Sequence, residues 1–205
     1  MQYYRAALFA TTLLATCACY APNASLGPGG EPYGLEPAVN LDLPVAMPPY
    51  DTVEANWKQR IDQPYIYIEL SGSYTETGRE LVRLAKEMKS QGMRPSGAPF
   101  GLFYDDPGKV PVERLRSRAC LPVDRQITPI APLKADVLPS KTVTYAFVGG
   151  RYSDLPRAYH GLYSFMANMN WAEQGPIREI YLVRPDGTND ADLISEIQIP
   201  VGWSD

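Results

Sequence analysis

The stretch Tyr67-Ile-Glu-Leu-Ser-Gly-Ser-Tyr74 decides the fold, because the chain writes it twice. Tyr145-Ala-Phe-Val-Gly-Gly-Arg-Tyr152 sets two tyrosines and a glycine at the same places. In each copy inward and outward side chains alternate up to Gly72 or Gly150, the period of a strand with two different faces. At the same offset Arg79 meets Arg157, Leu84 meets Leu162 and Met88 meets Met166. A one-residue slip then aligns Pro99 with Pro176 and Tyr104 with Tyr181; further on Pro107 meets Pro185, Leu115 meets Leu193, and Pro122-Val123 meets Pro200-Val201. A repeat this long and only twofold predicts a pseudo-twofold pair of modules around one core rather than a solenoid.

Each module reads as strand, helix, strand, strand. The first strands are Tyr65 to Leu70 and Val143 to Val148, each running into Gly-x-Tyr. Thr75 or Ser153 is then placed to cap a helix, with Glu76 or Asp154 favourable in its first turn. Leu81, Leu84, Ala85 and Met88 make one apolar stripe, and Tyr159, Leu162, Tyr163 and Met166 make its counterpart. Gly92 ends the first helix, while the second is expected to continue towards Trp171. Phe100 to Tyr104 and Ile177 to Val183 form the middle strands, a short helical turn follows near Leu115 or Leu193, and Ser117 to Val123 and Ser195 to Val201 close the modules. The expected class is α+β: an antiparallel sheet with helices on one face and a groove on the other.

In Gly175-Pro-Ile-Arg-Glu-Ile-Tyr-Leu182, alternation sends Ile180 and Leu182 to one face and Glu179 and Tyr181 to the other. Placing the bland apolar residues under the helices leaves the groove face with Tyr65, Tyr67, Glu69, Leu102, Tyr104, Arg118 and Cys120 from the first module. The second contributes Val143, Tyr145, Phe147, Glu179, Tyr181, Glu196 and Gln198. A concave aromatic surface with a few convergent polar groups suits a small molecule. The ligand-binding candidates are Glu179, Tyr181, Tyr67, Tyr104, Tyr145, Phe147, Tyr65, Glu69 and Leu102. A carboxylate facing tyrosine rings attracts a cation that the ring faces also favour. In a hydrolytic alternative, Glu179 would be a general base on water, with Tyr145 or Tyr181 as proton donor. The bland alternatives are a solvated strand glutamate, aromatics that cover the sheet as cross-strand pairs, and an ion pair of Glu69 or Glu196 with Arg118.

The 205 residues carry a formal charge of −4, which gives no electrostatic footprint for nucleic acid. Arg5, the apolar run Ala6 to Ala15 and Thr16-Cys-Ala-Cys19 have the layout of an export signal over residues 1–19, too short to span a bilayer comfortably. Leu14-Ala15-Thr16-Cys17 resembles a bacterial lipoprotein signal, with Thr16 standing where Gly or Ala is usual; Cys19 is the other lipidation candidate. Cleavage near Ala18 or Ala21 and an uncleaved anchor are the remaining readings. Residues 20–50 are rich in Pro and Gly and read as a tether, leaving residues 51–205 as the domain, with repeats over about 57–123 and 135–201. The expected address is the cell envelope, on a membrane.

The tandem repeat, the two Gly-x-Tyr helix entries, Phe100-Gly-Leu-Phe-Tyr-Asp-Asp-Pro107 with Val110-Pro111, the closing Leu-Pro-Val and Ile-Pro-Val, and Arg178-Glu-Ile-Tyr-Leu182 resemble the gyrase-inhibitor-like (GyrI-like) domain, or bacterial transcription activator effector-binding domain, over about residues 52–201. The resemblance implies two fused strand-helix-strand-strand (SHS2-like) modules enclosing a groove. In multidrug-sensing members of that family a buried glutamate among aromatics binds bulky, often cationic ligands, and Glu179 falls at that motif position. Other members are stand-alone binding proteins or hydrolases of strained cyclopropane-containing compounds. Tyr74-Thr-Glu-Thr-Gly-Arg79 and Tyr104-Asp-Asp-Pro107 also resemble a eukaryotic branch held behind a membrane anchor. Unlike the regulators, this sequence shows no helix-turn-helix segment. The expected function is therefore ligand binding as a sensor, scavenger or carrier. A hydrolase and a protein-interaction module are the alternatives.

Asp105-Asp106-Pro107 reads as a turn rather than a metal site, His160 as helix packing, and Cys120 as a small buried filler. No zinc spacing, phosphate-cradling loop or nucleotide fingerprint is present, so neither metal nor cofactor is expected.

Overall fold

The computed structural model describes residues 41–183 and 193–204. The export segment with Cys17 and Cys19, most of the tether and the turn around Pro185 lie outside the described residues. The chain builds β1 (Val45–Ala46), β2 (Asn56–Arg60), β3 (Gln63–Ser71), α1 (Thr77–Ser90), β4 (Phe100–Phe103), β5 (Arg116–Pro122) and β6 (Lys134–Leu138). It continues with β7 (Lys141–Gly149), α2 (Tyr159–Asn168), β8 (Trp171–Glu173), β9 (Ile177–Val183) and β10 (Ile194–Trp203). All strands join one sheet in the order β1-β7-β10-β9-β4-β5-β3-β6, with β2 also on β7 and β8 on β10. Around its centre the order β7-β10-β9 faces β4-β5-β3, so β3-α1-β4-β5 lies on one side of the β9–β4 seam and β7-α2-β9-β10, with the short β8 interposed after α2, lies on the other. The core pairings are antiparallel, and β1 alone among the described strands pairs in parallel, with β7.

Both helices pack on one face, as alternation predicts. Ile66, Ile68 and Leu121 meet Leu84 and Met88 of α1 in one apolar cluster; Ala146, Val148, Ile197 and Ile199 meet Leu162 and Met166 of α2 in another. Leu81 touches both clusters and links the helices across the seam. Neither Thr75 nor Ser153 caps an α-helix. Each helix is entered through a 3-10 turn, Tyr74–Glu76 and Tyr152–Ala158, and it is Ser73 whose side chain accepts the Thr75 amide, at 3.4 Å. The extra turn absorbs the sharp bend at Gly72 and Gly150, both in the left-handed region, at φ 114° and 100°. α1 does end through Gly92, but α2 stops at Asn168 because Asn170, at φ 54°, turns the chain so that Trp171 begins β8.

The tether reaches the fold earlier than residue 51. Val45–Ala46 adds to β7, and Tyr50, 1% exposed, donates its hydroxyl to the Gly149 carbonyl at 2.9 Å. The Pro-rich composition hid an apolar anchor.

The sheet rolls around the face away from the helices. The short links after β2 and β6 tie the far strands together: the Ser140 amide donates to Asp62 Oδ1 at 2.6 Å, and Arg60 Nη2 donates to the Pro139 carbonyl at 2.9 Å. A third apolar cluster fills the roll, with Tyr65, Tyr67, Phe100, Leu102, Cys120, Leu138 and Ile180. Much of the groove expected on this face is therefore occupied by the protein's own side chains, and a depression beside Glu69, Tyr104 and Arg118 stays open.

Candidate functional site

Alternation correctly grouped Glu179 with Tyr181 and Ile180 with Leu182, but the groups face the other way. Ile180 and Leu182 pack in the rolled face, whereas Tyr181 belongs to the α2 cluster. Alternation fixes which side chains share a face, not which face that is. Here both faces are buried, so apolar character could not choose.

Glu179 thus lies under the helices, at the centre of the sheet. It is 6% exposed. Tyr159 of α2 donates its hydroxyl to Oε1 at 2.6 Å, and Tyr181 donates to Oε2 at 3.3 Å. Burial pushes the carboxyl up to about 7, and the two phenol donors oppose that rise by stabilising the anion. The same carboxylate and burial hold both phenols well above their ordinary range, so they remain donors. Tyr152 packs at a tilt against Tyr181 with ring centres 4.7 Å apart, and across the seam Tyr74 meets Phe103 at 4.8 Å. The tyrosine of each Gly-x-Tyr entry thus packs on an aromatic ring of its own module's middle strand.

Gly101 sits directly opposite Glu179 in the β4–β9 register. A Cβ there would lie 2.7 Å from the Phe103 ring and 3.0 Å from Tyr181 Oη. The pairs Tyr74–Phe103 and Tyr152–Tyr181 make Phe103, not Tyr104, the counterpart of Tyr181, and Gly101 that of Glu179. The middle strands therefore align at the same offset as the rest of the repeat, without a one-residue slip. In one module the position is emptied and in the other it is charged.

The structure divides the candidate residues. Glu179 and Tyr181 stay together on the helix side; Tyr65, Tyr67, Glu69, Leu102, Tyr104, Tyr145 and Phe147 lie on the rolled face. There the rings already hold cations of the protein itself. The Arg118 guanidinium sits 4.1 Å from the Tyr67 ring centre and 5.4 Å from that of Tyr104, while its Nη1 reaches Tyr65 Oη at 2.6 Å and Asp136 at 2.8 Å. Lys58 lies 4.1 Å over Tyr145 and pairs with Glu196 at 2.7 Å. Glu69 pairs with Arg118 at 3.5 Å and with Lys134. A surface depression of about 440 Å³ beside Glu69, Tyr104 and Arg118 has this saturated chemistry for a floor. Tyr145 donates to Asp42 at 2.6 Å and cannot serve Glu179 as an acid. Tyr159, Tyr152, Tyr74 and Phe103 were missed as site residues. Their signal was the alignment itself: without the slip, Phe103 falls opposite Tyr181.

The remaining singled-out residues have local partners or are buried. Asp105 holds Arg116 at 2.7 Å, Asp106 accepts the Gly108 amide in a turn, and Cys120 is buried. His160 is exposed with Nδ1 2.8 Å from the Arg157 carbonyl. Among the described residues no group of His, Cys, Asp or Glu is arranged to hold a metal. No described helix is long and apolar enough to cross a membrane.

The sequence matches the family profile of the GyrI-like small molecule binding domain over residues 55–202. Among solved structures, the EcmrR C-terminal domain superimposes with a TM-score of 0.63 at 18% identity, over 74% of this chain and 99% of that one. EcmrR in a DNA complex gives 0.64 at 17% identity over 74% of this chain, which spans 58% of the EcmrR chain. A hydrolase from Listeria innocua gives 0.56 at 12% identity, over 73% of this chain and 92% of that one. At these identities the likeness is one of fold. No curated protein is matched by the sequence.

Proposed function

The chain belongs to the GyrI-like small-molecule-binding family, and from that premise we propose that it holds an amphipathic, cationic ligand against Glu179, between α1 and α2. The observation that carries this reading is a carboxylate at the centre of the sheet, 6% exposed, met by two phenol donors and, among the described residues, by no positive side chain. Leaving a carboxylate unpaired in such a place is costly, and a lipophilic cation offsets that cost while its apolar body takes the place of the surrounding rings. Tyr152, Tyr159, Tyr181, Tyr74 and Phe103 supply those rings. Since the carboxylate is sealed in this form, a ligand enters by displacing side chains from the seam between the helices.

Export and tethering through Cys17 or Cys19 complete the proposal, with the domain acting at a membrane surface as sensor, scavenger or carrier. Labelled fatty acid should enter the protein and be lost when both cysteines are changed to Ser; incorporation that survives the change removes the lipid anchor. The ligand reading is tested by thermal shift with arylphosphonium and quaternary ammonium cations beside neutral aromatics of matched shape. A ligand of the folded state raises the melting temperature by mass action. Cations should do so in the native protein and fail in Glu179→Gln, and equal shifts in both would remove the charge role.

A second reading rests on the same carboxylate. A pKa of about 7 suits a general base, and the Tyr159 hydroxyl at 2.6 Å holds the carboxylate in place. Turnover of an electrophilic ester or strained ring, abolished in Glu179→Gln, would distinguish an enzyme from a binder that returns its ligand unchanged.

A further inference from the structure

We propose that the rolled face of the sheet, on the side opposite Glu179, contains a second site that takes an oxyanion, a carboxylate or a phosphate ester, between Arg178 of β9 and Arg60 of β2. The two guanidinium groups are 7% and 8% exposed. Buried Arg178 Nε and Arg60 Nη1 both lack a hydrogen-bond partner. The Arg178 guanidinium sits over Phe100, its centre 4.0 Å from the ring centre, and Nε is the buried donor left over. Arg60 is held by Nε and Nη2 on the Pro139 carbonyl, at 3.2 and 2.9 Å, so Nη1 is the donor it has to spare.

Charge on this face does not balance by itself. Arg118 is taken by Asp136 and Glu69, Lys134 by Glu69, and Lys58 by Glu196. Glu196 also accepts from Gln198 at 2.6 Å. Among the described residues no carboxylate pairs with Arg178 or Arg60. Desolvation pulls Arg178 down to about 10; repulsion by the Arg60 charge adds to that fall and the Glu196 carboxylate opposes it. An oxyanion accepting from both forks removes the repulsion and satisfies both orphan donors in charge-assisted bonds. Gln198 Oε1, also without a partner, is an acceptor for a hydroxyl of the same ligand. The way in is the seam between β2 and β6, which pair with β7 and β3 but not with each other.

The test uses the full-length chain at fixed ionic strength, titrated with inorganic phosphate, with benzoate, and with chloride as control. Phosphate or benzoate should stabilise the protein and move the Arg Nε–H resonances, and chloride should do neither. Whichever oxyanion binds more tightly identifies the source as phosphate ester or carboxylate. Arg178→Gln and, separately, Arg60→Gln should weaken binding by roughly tenfold to a hundredfold, the worth of a charge-assisted bond, while Glu179→Gln leaves it unchanged. If Arg178→Gln does not fold, the resonance shifts in the native protein and the Arg60→Gln titration still decide. Two results overturn the proposal: no oxyanion moves any Arg Nε–H resonance, or binding is unaltered in the arginine variants.

Discussion

Changing Glu179 to Gln should alter how stability depends on pH. The carboxyl has an ordinary value of 4.5 and is held at about 7 by burial. Below pH 4.5 both folded and unfolded chains carry the proton, and burial of the neutral acid is cheap. Between pH 4.5 and 7 the unfolded chain releases its proton while the folded chain keeps it, so folding is progressively disfavoured as pH rises. Above pH 7 both are ionised and the loss is complete. The shift corresponds to about 3 kcal/mol. Gln does not titrate and occupies nearly the same volume, so other titrating groups cancel in the comparison of variant with native protein. Urea unfolding of both at half-unit steps from pH 4 to 8.5 should show the variant gaining about 3 kcal/mol relative to the native chain, most of it between pH 5 and 7. Parallel curves over that range would refute the reasoning, because they would mean that Glu179 is ionised and solvated in the fold.

Other perturbations follow from the same contacts. Tyr159→Phe deletes the 2.6 Å donor that stabilises the anion, so the Glu179 carboxyl should rise above about 7, by a unit or more for a charged bond. A carbon-labelled glutamate titration by NMR measures it, and no movement would mean the bond is absent in solution. Tyr181→Phe, with the longer 3.3 Å contact, should move it less. Gly101→Ala places a methyl 2.7 Å from the Phe103 ring, and overpacking of this kind costs about 1–3 kcal/mol; an unchanged urea midpoint would show that the seam is looser than described. Tyr50→Phe should cost about 1 kcal/mol through its bond to Gly149, and a chain begun at residue 51 should lose considerably more, whereas equal stability would return residues 41–50 to the tether.

Much of this was legible in the sequence. The repeated Gly-x-Tyr entries, the helix stripes at Leu84-Met88 and Leu162-Met166, and the strand alternation fixed the class and most facing assignments, because each depends on local period. What failed depended on the partner. Glu179 and Tyr181 were grouped correctly and turned the wrong way, since a strand buried on both faces offers no polar side to read. Matching Tyr104 to Tyr181 favoured residue identity over geometry, and it concealed Gly101, whose missing side chain is the reason a glutamate and a tyrosine fit opposite. Tyr67, Tyr104 and Tyr145 read as ligand contacts from sequence, which does not say that Arg118 and Lys58 lie over their rings.

The most direct test of the central claim is a calorimetric titration of the native protein and Glu179→Gln with an arylphosphonium cation, at pH 6 and pH 8. A cation bound by the ionised carboxylate should bind the native protein more tightly at pH 8, with affinity falling by about tenfold per pH unit well below the carboxyl value of about 7. At pH 6 it should release a proton on binding, visible as a dependence of the heat on buffer, and the variant should bind weakly at either pH with no proton released. Equal affinity at both pH values, shared by the variant, would contradict the claim that Glu179 is the ligand's partner.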